Sequence, residues 1–179
     1  MSLVLVESDH RLPLVAMNVV FRAGGTHDPA GSEGLARVTA RMLRRGCRGI
    51  SAQEIEHRVD ALGGVLSTQV GLGTTGIGCE CLTRSTDEML ALLRQLIREP
   101  SFEQAELQRL LRQTEAEVIE GRNDDALLAS RALRRHLFRA HPHGRRVGGT
   151  SASISTLTRE QVVAFSTTHY NRDNAIVLV

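Results

Sequence analysis

Arg37 and Arg41 lie four residues apart in a stretch of helical periodicity, so both guanidiniums project from one helix face, a single turn apart. A guanidinium keeps its charge throughout the usable pH range and has no lone pair to give. The pair can grip carboxylate or phosphate oxygens, but it can neither ligate a metal ion nor accept a proton. Ala40, next to Arg41, has no titratable group at all. Glu117, with Glu115 and Glu120 close by, falls in a later stretch rich in Glu and Arg. From residue types alone two readings stand. Either these are solvated positions on amphipathic helices, with Glu117 making an i,i+4 surface pair, or they face a cleft.

Other constellations carry less. His141-Pro142-His143 sits on a loop with no acidic or Cys partner in its neighbourhood, which reads as structural. Cys79-Glu80-Cys81 lies in a strand pattern, where positions two apart share a face, so the two thiols pack rather than bind metal. With Cys47 the cysteines number three, which argues against a disulfide framework. His57 and His169 fall on helices as surface or packing residues, and His10, His27 and His136 give no signal. No Gly-x-Ser-x-Gly elbow occurs, and Gly71-Leu72-Gly73 is followed by strand residues rather than a helix, so no phosphate cradle is expected.

The elements that must position these residues are legible from periodicity and punctuation. Leu14 to Arg22 alternates, with Val15, Met17, Val19 and Phe21 on one face, and reads as a strand. A loop from Ala23-Gly24-Gly25-Thr26 through Asp28-Pro29 and Gly31 precedes a helix over Gly34–Arg45. Ser51-Ala52-Gln53-Glu54 has the capping-box form and opens a second helix that Gly63-Gly64 ends. Strands over Val65–Val70 and Thr75–Leu82 come next, separated by a Gly-rich turn. Ser85 is expected to cap a helix through Ile97, and Ser101 the longest helix, running to about Glu120. Asp124–Arg139 reads as another helix, Thr158-Arg159-Glu160-Gln161 opens the last, and Ala175–Val179 is a closing strand that leaves sheet edge or apolar surface uncovered. The order predicts an α+β fold, a mainly antiparallel sheet with helices packed on one face.

Composition sets the outer bounds. The 179 residues fit one domain with a real core, 41% apolar and only 3% aromatic, so the core is built from aliphatic side chains. A net charge of +2 is too small to argue for nucleic acid or an anionic membrane, although every basic residue except His is Arg. No apolar run approaches the roughly 20 residues of a membrane span. Met1–Glu7 lacks the basic start of a signal peptide. The chain stops within an apolar run, so a fragment of a longer protein is expected.

The order of the local words resembles the pitrilysin/insulinase family of zinc peptidases, which includes the mitochondrial processing peptidases. The words are Ala23-Gly24-Gly25-Thr26 after a strand, Gly34-Leu35-Ala36 opening a helix with Met42-Leu43, and Leu62-Gly63-Gly64 before a strand. Ala129-Ser130-Arg131, His141-Pro142-His143-Gly144, Thr158-Arg159-Glu160-Gln161 and His169-Tyr170 with Asp173-Asn174-Ala175 come after them in the same order. The resemblance covers essentially the whole chain, residues 1–179, as the single N-terminal domain of a subunit whose second domain is absent.

Active members of the family carry an inverted zinc motif, His-x-x-Glu-His, directly after the Gly-Leu-Ala opening. Its two His reach one zinc ion, its Glu deprotonates the zinc-bound water, and a Glu on a later helix is the third protein ligand. Here the corresponding positions read Arg37-Val38-Thr39-Ala40-Arg41, and the third-ligand position falls on Glu117. The resemblance therefore implies a degenerate site at Arg37, Ala40, Arg41 and Glu117, with no catalytic residue and no zinc cofactor. With no metal to offset its charge, Glu117 is expected to pair with at least one of the two guanidiniums. Peptide substrates of the family add to a sheet edge. The matching strand is Val65–Val70, with Ser67-Thr68 as candidate substrate-binding residues where active members have Asn-Ala.

The resemblance implies a non-catalytic subunit that helps a catalytic zinc peptidase subunit of the same family form a chamber for unfolded peptides. A scaffold or assembly protein that retains the fold without a peptide role is the alternative, and an active zinc endopeptidase a third. Bacterial relatives are often periplasmic, which makes that compartment an expectation by resemblance only.

Overall fold

The computed structural model describes residues 3–9 and 11–179; His10 and the first two residues of the Met1–Glu7 segment lie outside them. Its centre is a five-stranded sheet in the order β1-β7-β2-β6-β5. The strands are β1 (Leu3–Leu5), β2 (Leu14–Phe21), β5 (Val65–Val70), β6 (Thr75–Leu82) and β7 (Ala175–Leu178). A separate two-residue pair, β3 (Gly46–Cys47) and β4 (Ile50–Ser51), makes a small hairpin. All neighbours in the large sheet run antiparallel except β1 and β7. The alternation read in β2 holds: Met17 and Phe21 are buried while Val15 and Val19 pack against the core from the same face.

Seven α-helices accompany the sheet among the described residues: α1 (Leu35–Met42), α2 (Ala52–Ala61), α3 (Thr86–Arg98), α4 (Gln104–Glu120), α5 (Asp125–Phe138), α6 (Ser151–Ser155) and α7 (Arg159–His169). Their apolar stripes, such as Met89, Leu92, Leu93 and Leu96 of α3 and Leu107, Leu110 and Leu111 of α4, close over one face of the sheet. Cys79 and Cys81 are buried free thiols in that core. Burial first, then the neighbouring Cys81 and Glu80, push the Cys79 thiol up to about 11, so it stays protonated and packs. No helix among the described residues is long and apolar enough to cross a membrane.

Several local expectations are corrected. The strand at the end of the chain is not a sheet edge, because β7 lies between β2 and β1; the edges are β1 and β5. Val179 is exposed as expected, and further uncovered apolar side chains lie around β1 and the approach to β2, including Leu3, Val4, Leu5, Leu12 and Leu14, and later in the chain at Leu133, Leu137 and Phe138. Helix α1 ends at Met42 rather than Arg45, since Leu43, Arg44 and Arg45 close with tighter three-residue backbone bonds to Ala40, Arg41 and Met42. Ser85 makes no cap bond, because the chain enters α3 through a 3-10 turn at Thr83–Ser85 that already winds the helix. Ser101 does not cap α4 either. Its N–H donates to the Gly46 carbonyl and Pro100 bridges to Cys47, while Phe102, buried at φ 46°, gives its carbonyl to Arg159 Nε at 2.7 Å. The helix starts two residues later, with Glu103 as its cap residue. Ser51 and Thr158 do cap as read, accepting from Glu54 N and Gln161 N.

Candidate functional site

Helix α1 is fixed at its start by Asp28, which reaches across the Pro29–Glu33 loop. Its Oδ2 accepts from Gly34 N and its Oδ1 from Ala36 N, both at 2.8 Å. Gly34 sits at φ +99°, and a Cβ there would stand 2.6 Å from Ile154 Cδ1, so backbone conformation and close packing both require glycine. Leu35, Ala36, Val38, Thr39, Ala40 and Met42 are all buried, so the core encloses the helix on every side but the one that carries Arg37 and Arg41. Ala40 thus sits within the core, at the border of the arginine face.

Asp28 is largely buried, and that burial pushes its pKa up to about 6 against the opposing pull of the two N–H donors; Glu33 adds to the rise and Arg145 opposes it. An exposed Asp titrates near 3.9. The folded protein therefore holds a proton that the unfolded chain releases. The stability this proton adds is complete below about pH 4 and is lost as pH rises through about 6, an effect on the order of 2–3 kcal/mol. We expect an Asp28→Asn variant to lack this dependence, so that the difference in unfolding free energy between the two proteins changes from about pH 7.5 to about pH 5. Parallel stability curves for the two would show that Asp28 does not titrate in that range.

The guanidiniums of α1 meet the carboxylate of α4. Arg41 binds Glu117 in a two-bond fork, Nη1 to Oε2 and Nη2 to Oε1, both at 2.9 Å, and its Nη1 also donates to Thr114 Oγ1 at 3.2 Å. Arg37 Nη2 donates to Glu117 Oε2 at 3.0 Å. Thr114 and Glu117 are three residues apart, so one turn of α4 presents both acceptors to α1. Charge-assisted forks of this kind are among the stronger hydrogen bonds in proteins. The trio is half-buried, with side-chain exposures of 37% for Arg37, 20% for Arg41 and 32% for Glu117. Around it lies more positive charge: burial, with Arg146 and Arg37 nearby, lowers the Arg131 pKa, and Asp124 only partly opposes them.

The remaining sequence candidates are dispersed. Ser67 and Thr68 lie on the edge strand β5, but alternation sends them to opposite faces: Ser67 to the open face of the sheet, Thr68 toward α1 and α2. His141 and His143 are exposed, their rings 4.9 Å apart, with His143 N donating to His141 Nδ1. Two arginines are not apparent from motif spacing alone. Arg44 and Arg45 follow Arg41 after the buried Met42 and Leu43 and extend the charged surface; an i, i+4, i+7 count from Arg37 would have found Arg44.

A sequence model of the insulinase family, peptidase family M16, matches residues 3–151. The chain belongs to that family. An uncharacterized zinc protease of Rickettsia bellii is 24% identical over 160 residues, 89% of this chain and 39% of the relative. A Helicobacter pylori protein named non-peptidase homolog YmxG is 27% identical over 154 residues, 86% of this chain and 36% of that protein. The fold superposes with a TM-score of 0.93 on a crystal structure described as a peptidase M16 inactive domain from Pseudomonas fluorescens, 24% identical, covering 99% of this chain and 45% of that one. The M16 domain seen here thus spans less than half the length of each of these proteins.

The residues present do not fit the zinc ion that active M16 peptidases hold. Arg37 and Arg41 have no lone pair, Ala40 has no donor atom, and both oxygens of Glu117 already accept from guanidiniums. Among the described residues, no group of three or more His, Cys, Asp or Glu side chains converges as a metal site would require.

Proposed function

We propose that this chain is a non-catalytic M16 domain, in which Arg37, Ala40 and Arg41 replace the inverted zinc motif and Glu117 is the former third ligand. In the whole protein it would shape a peptide-binding chamber beside a catalytic zinc peptidase subunit of the same family. The observation that carries this reading is the arginine pair on Glu117: permanent positive charges stand where a catalytic site needs lone pairs. Without metal or general base, no water is activated for attack on a peptide bond. The names of the relatives, one a non-peptidase homolog and one an inactive domain, support the same reading.

Two measurements test it. The purified chain is expected to hold far less than one zinc per chain and to leave quenched unstructured peptides intact; chelator-sensitive turnover that tracks the protein through successive columns would overturn the reading. The full-length protein, recovered from its source cells, is expected to bring with it a family member with an intact His-x-x-Glu-His motif. Recovery with non-peptidase assembly components instead would favour the scaffold alternative.

A further inference from the structure

Beside the Arg–Glu trio lies a cavity of about 420 Å³ between the end of α1, the start of α2 and β5. Its wall carries Arg41, Arg44, Arg45 and Arg109, with Gln53, Glu56 and Thr68. The acids that offset these arginines mostly stand behind them. Glu117 holds Arg41, and Glu106 lies 3.1 Å from Arg109 and 3.6 Å from Arg45, yet neither acid lines the cavity. Among the described residues only Glu56, 2.9 Å from Arg44 Nη2, brings negative charge to the wall. Arg44 turns its Nη2 to Glu56, while its Nε is buried behind the wall with no acceptor among the described residues.

The neighbouring strand is built to receive a chain. In the β5–β6 hairpin Gly71 N donates to Thr74 O, and the register pairs Thr68 with Ile77. Hydrogen-bonded and non-bonded pairs alternate along an antiparallel ladder, so Ser67 and Gln69 bond to β6 while the N–H and C=O of Thr68 point to the open edge. A residue placed opposite Thr68 on an added strand would exchange both backbone bonds with it. Its side chain would then lie on the face that Thr68 shares with the cavity, about 5 Å from the Thr68 Cβ.

We propose that this cavity is a carboxylate subsite: an extended peptide adds to β5 with a Glu or Asp opposite Thr68, and that side chain enters among Arg41, Arg44, Arg45 and Arg109. The inference rests on the peptide-chamber reading and adds to it the class of peptide. The wall, with four arginines and one glutamate, gains the negative charge it lacks. Selectivity comes from charge, so a neutral amide of the same shape binds more weakly.

The test uses the full chain and fluorescent ten-residue peptides of otherwise uncharged β-prone sequence, with Glu, Gln or Lys at one central position, read by anisotropy. The Glu peptide is expected to bind about 10-fold more tightly than the Gln peptide, and the Lys peptide more weakly still. Arg44→Gln should bring the Glu and Gln peptides to the same affinity. Arg109→Gln provides a second variant if that one misfolds, and Arg84→Gln, remote from the cavity, should leave the preference intact. Equal affinities for the Glu and Gln peptides would overturn the subsite while leaving peptide binding in place. No binding by any of the three would remove the peptide-chamber reading and the subsite with it.

Discussion

A chain carrying Arg37→His and Arg41→His together is expected to bind about one zinc ion with a dissociation constant near 1 μM or below. The scaffold for such a site is in place. Positions 37 and 41 are one turn apart on α1, and the guanidiniums they carry converge on one carboxylate of α4. Imidazoles at the same positions are shorter, which leaves room for an ion between them and Glu117. Two His and one Glu are a sufficient protein ligand set for zinc, with the fourth position open. Ala40→Glu is not needed for affinity, because that side chain supplies the base rather than a ligand; it would also put a carboxylate at a fully buried position. The double variant should therefore bind metal without cleaving peptides. Adding Glu117→Ala should remove the ion. Zinc retained in that triple variant would show that Glu117 is not the third ligand, and no zinc in the double variant would break the assignment of positions 37 and 41.

Much of the positioning was legible because it is local. The β2 alternation, the Thr158 cap and the spacing of Arg37 and Arg41 each depend on residues within a few positions of one another. The contact with Glu117 was legible for another reason: a resemblance supplied the long-range partner that periodicity lacks. What escaped is what tertiary structure decides. Leu3–Leu5 is three exposed residues with no pattern of its own, and it is a strand only because β7 offers it an edge. Ser101 has the local form of a cap, but its backbone is taken by Gly46 and the neighbouring Phe102 carbonyl by Arg159. Asp28 caps α1 from six and eight residues away, beyond the spacing that cap patterns describe. The arginine cavity joins α1, α2, α4 and β5, and no sequence window contains it.

Glu117→Ala is expected to destabilise the fold by about 2 kcal/mol, and the magnitude is set by where the trio sits. A fully exposed ion pair contributes about 1 kcal/mol or less, because water and salt screen it and the side chains lose freedom. Removing one member of a fully buried pair costs about 3–5 kcal/mol, because the orphaned charge has no solvent. Arg41 is 20% exposed and Glu117 32%, which places the contact between these limits. Glu117 also neutralises two guanidiniums at once. Its loss leaves them facing each other across the gap, with only the Thr114 hydroxyl still accepting from Arg41. Glu117→Gln keeps one acceptor but no charge, so it should cost less, about 1 kcal/mol. The decisive comparison removes the cations as well. Adding Arg37→Gln and Arg41→Gln to Glu117→Ala should return part of the lost stability, since the repulsion then has no source. Urea unfolding of these variants beside the parent chain reads this coupling directly. If Glu117→Ala costs under about 0.5 kcal/mol and the further substitutions return nothing, the arginines are solvated residues that happen to touch a carboxylate. A large loss that the arginine substitutions relieve would mean that the guanidiniums hold α1 against α4 in the way a bridging ion would.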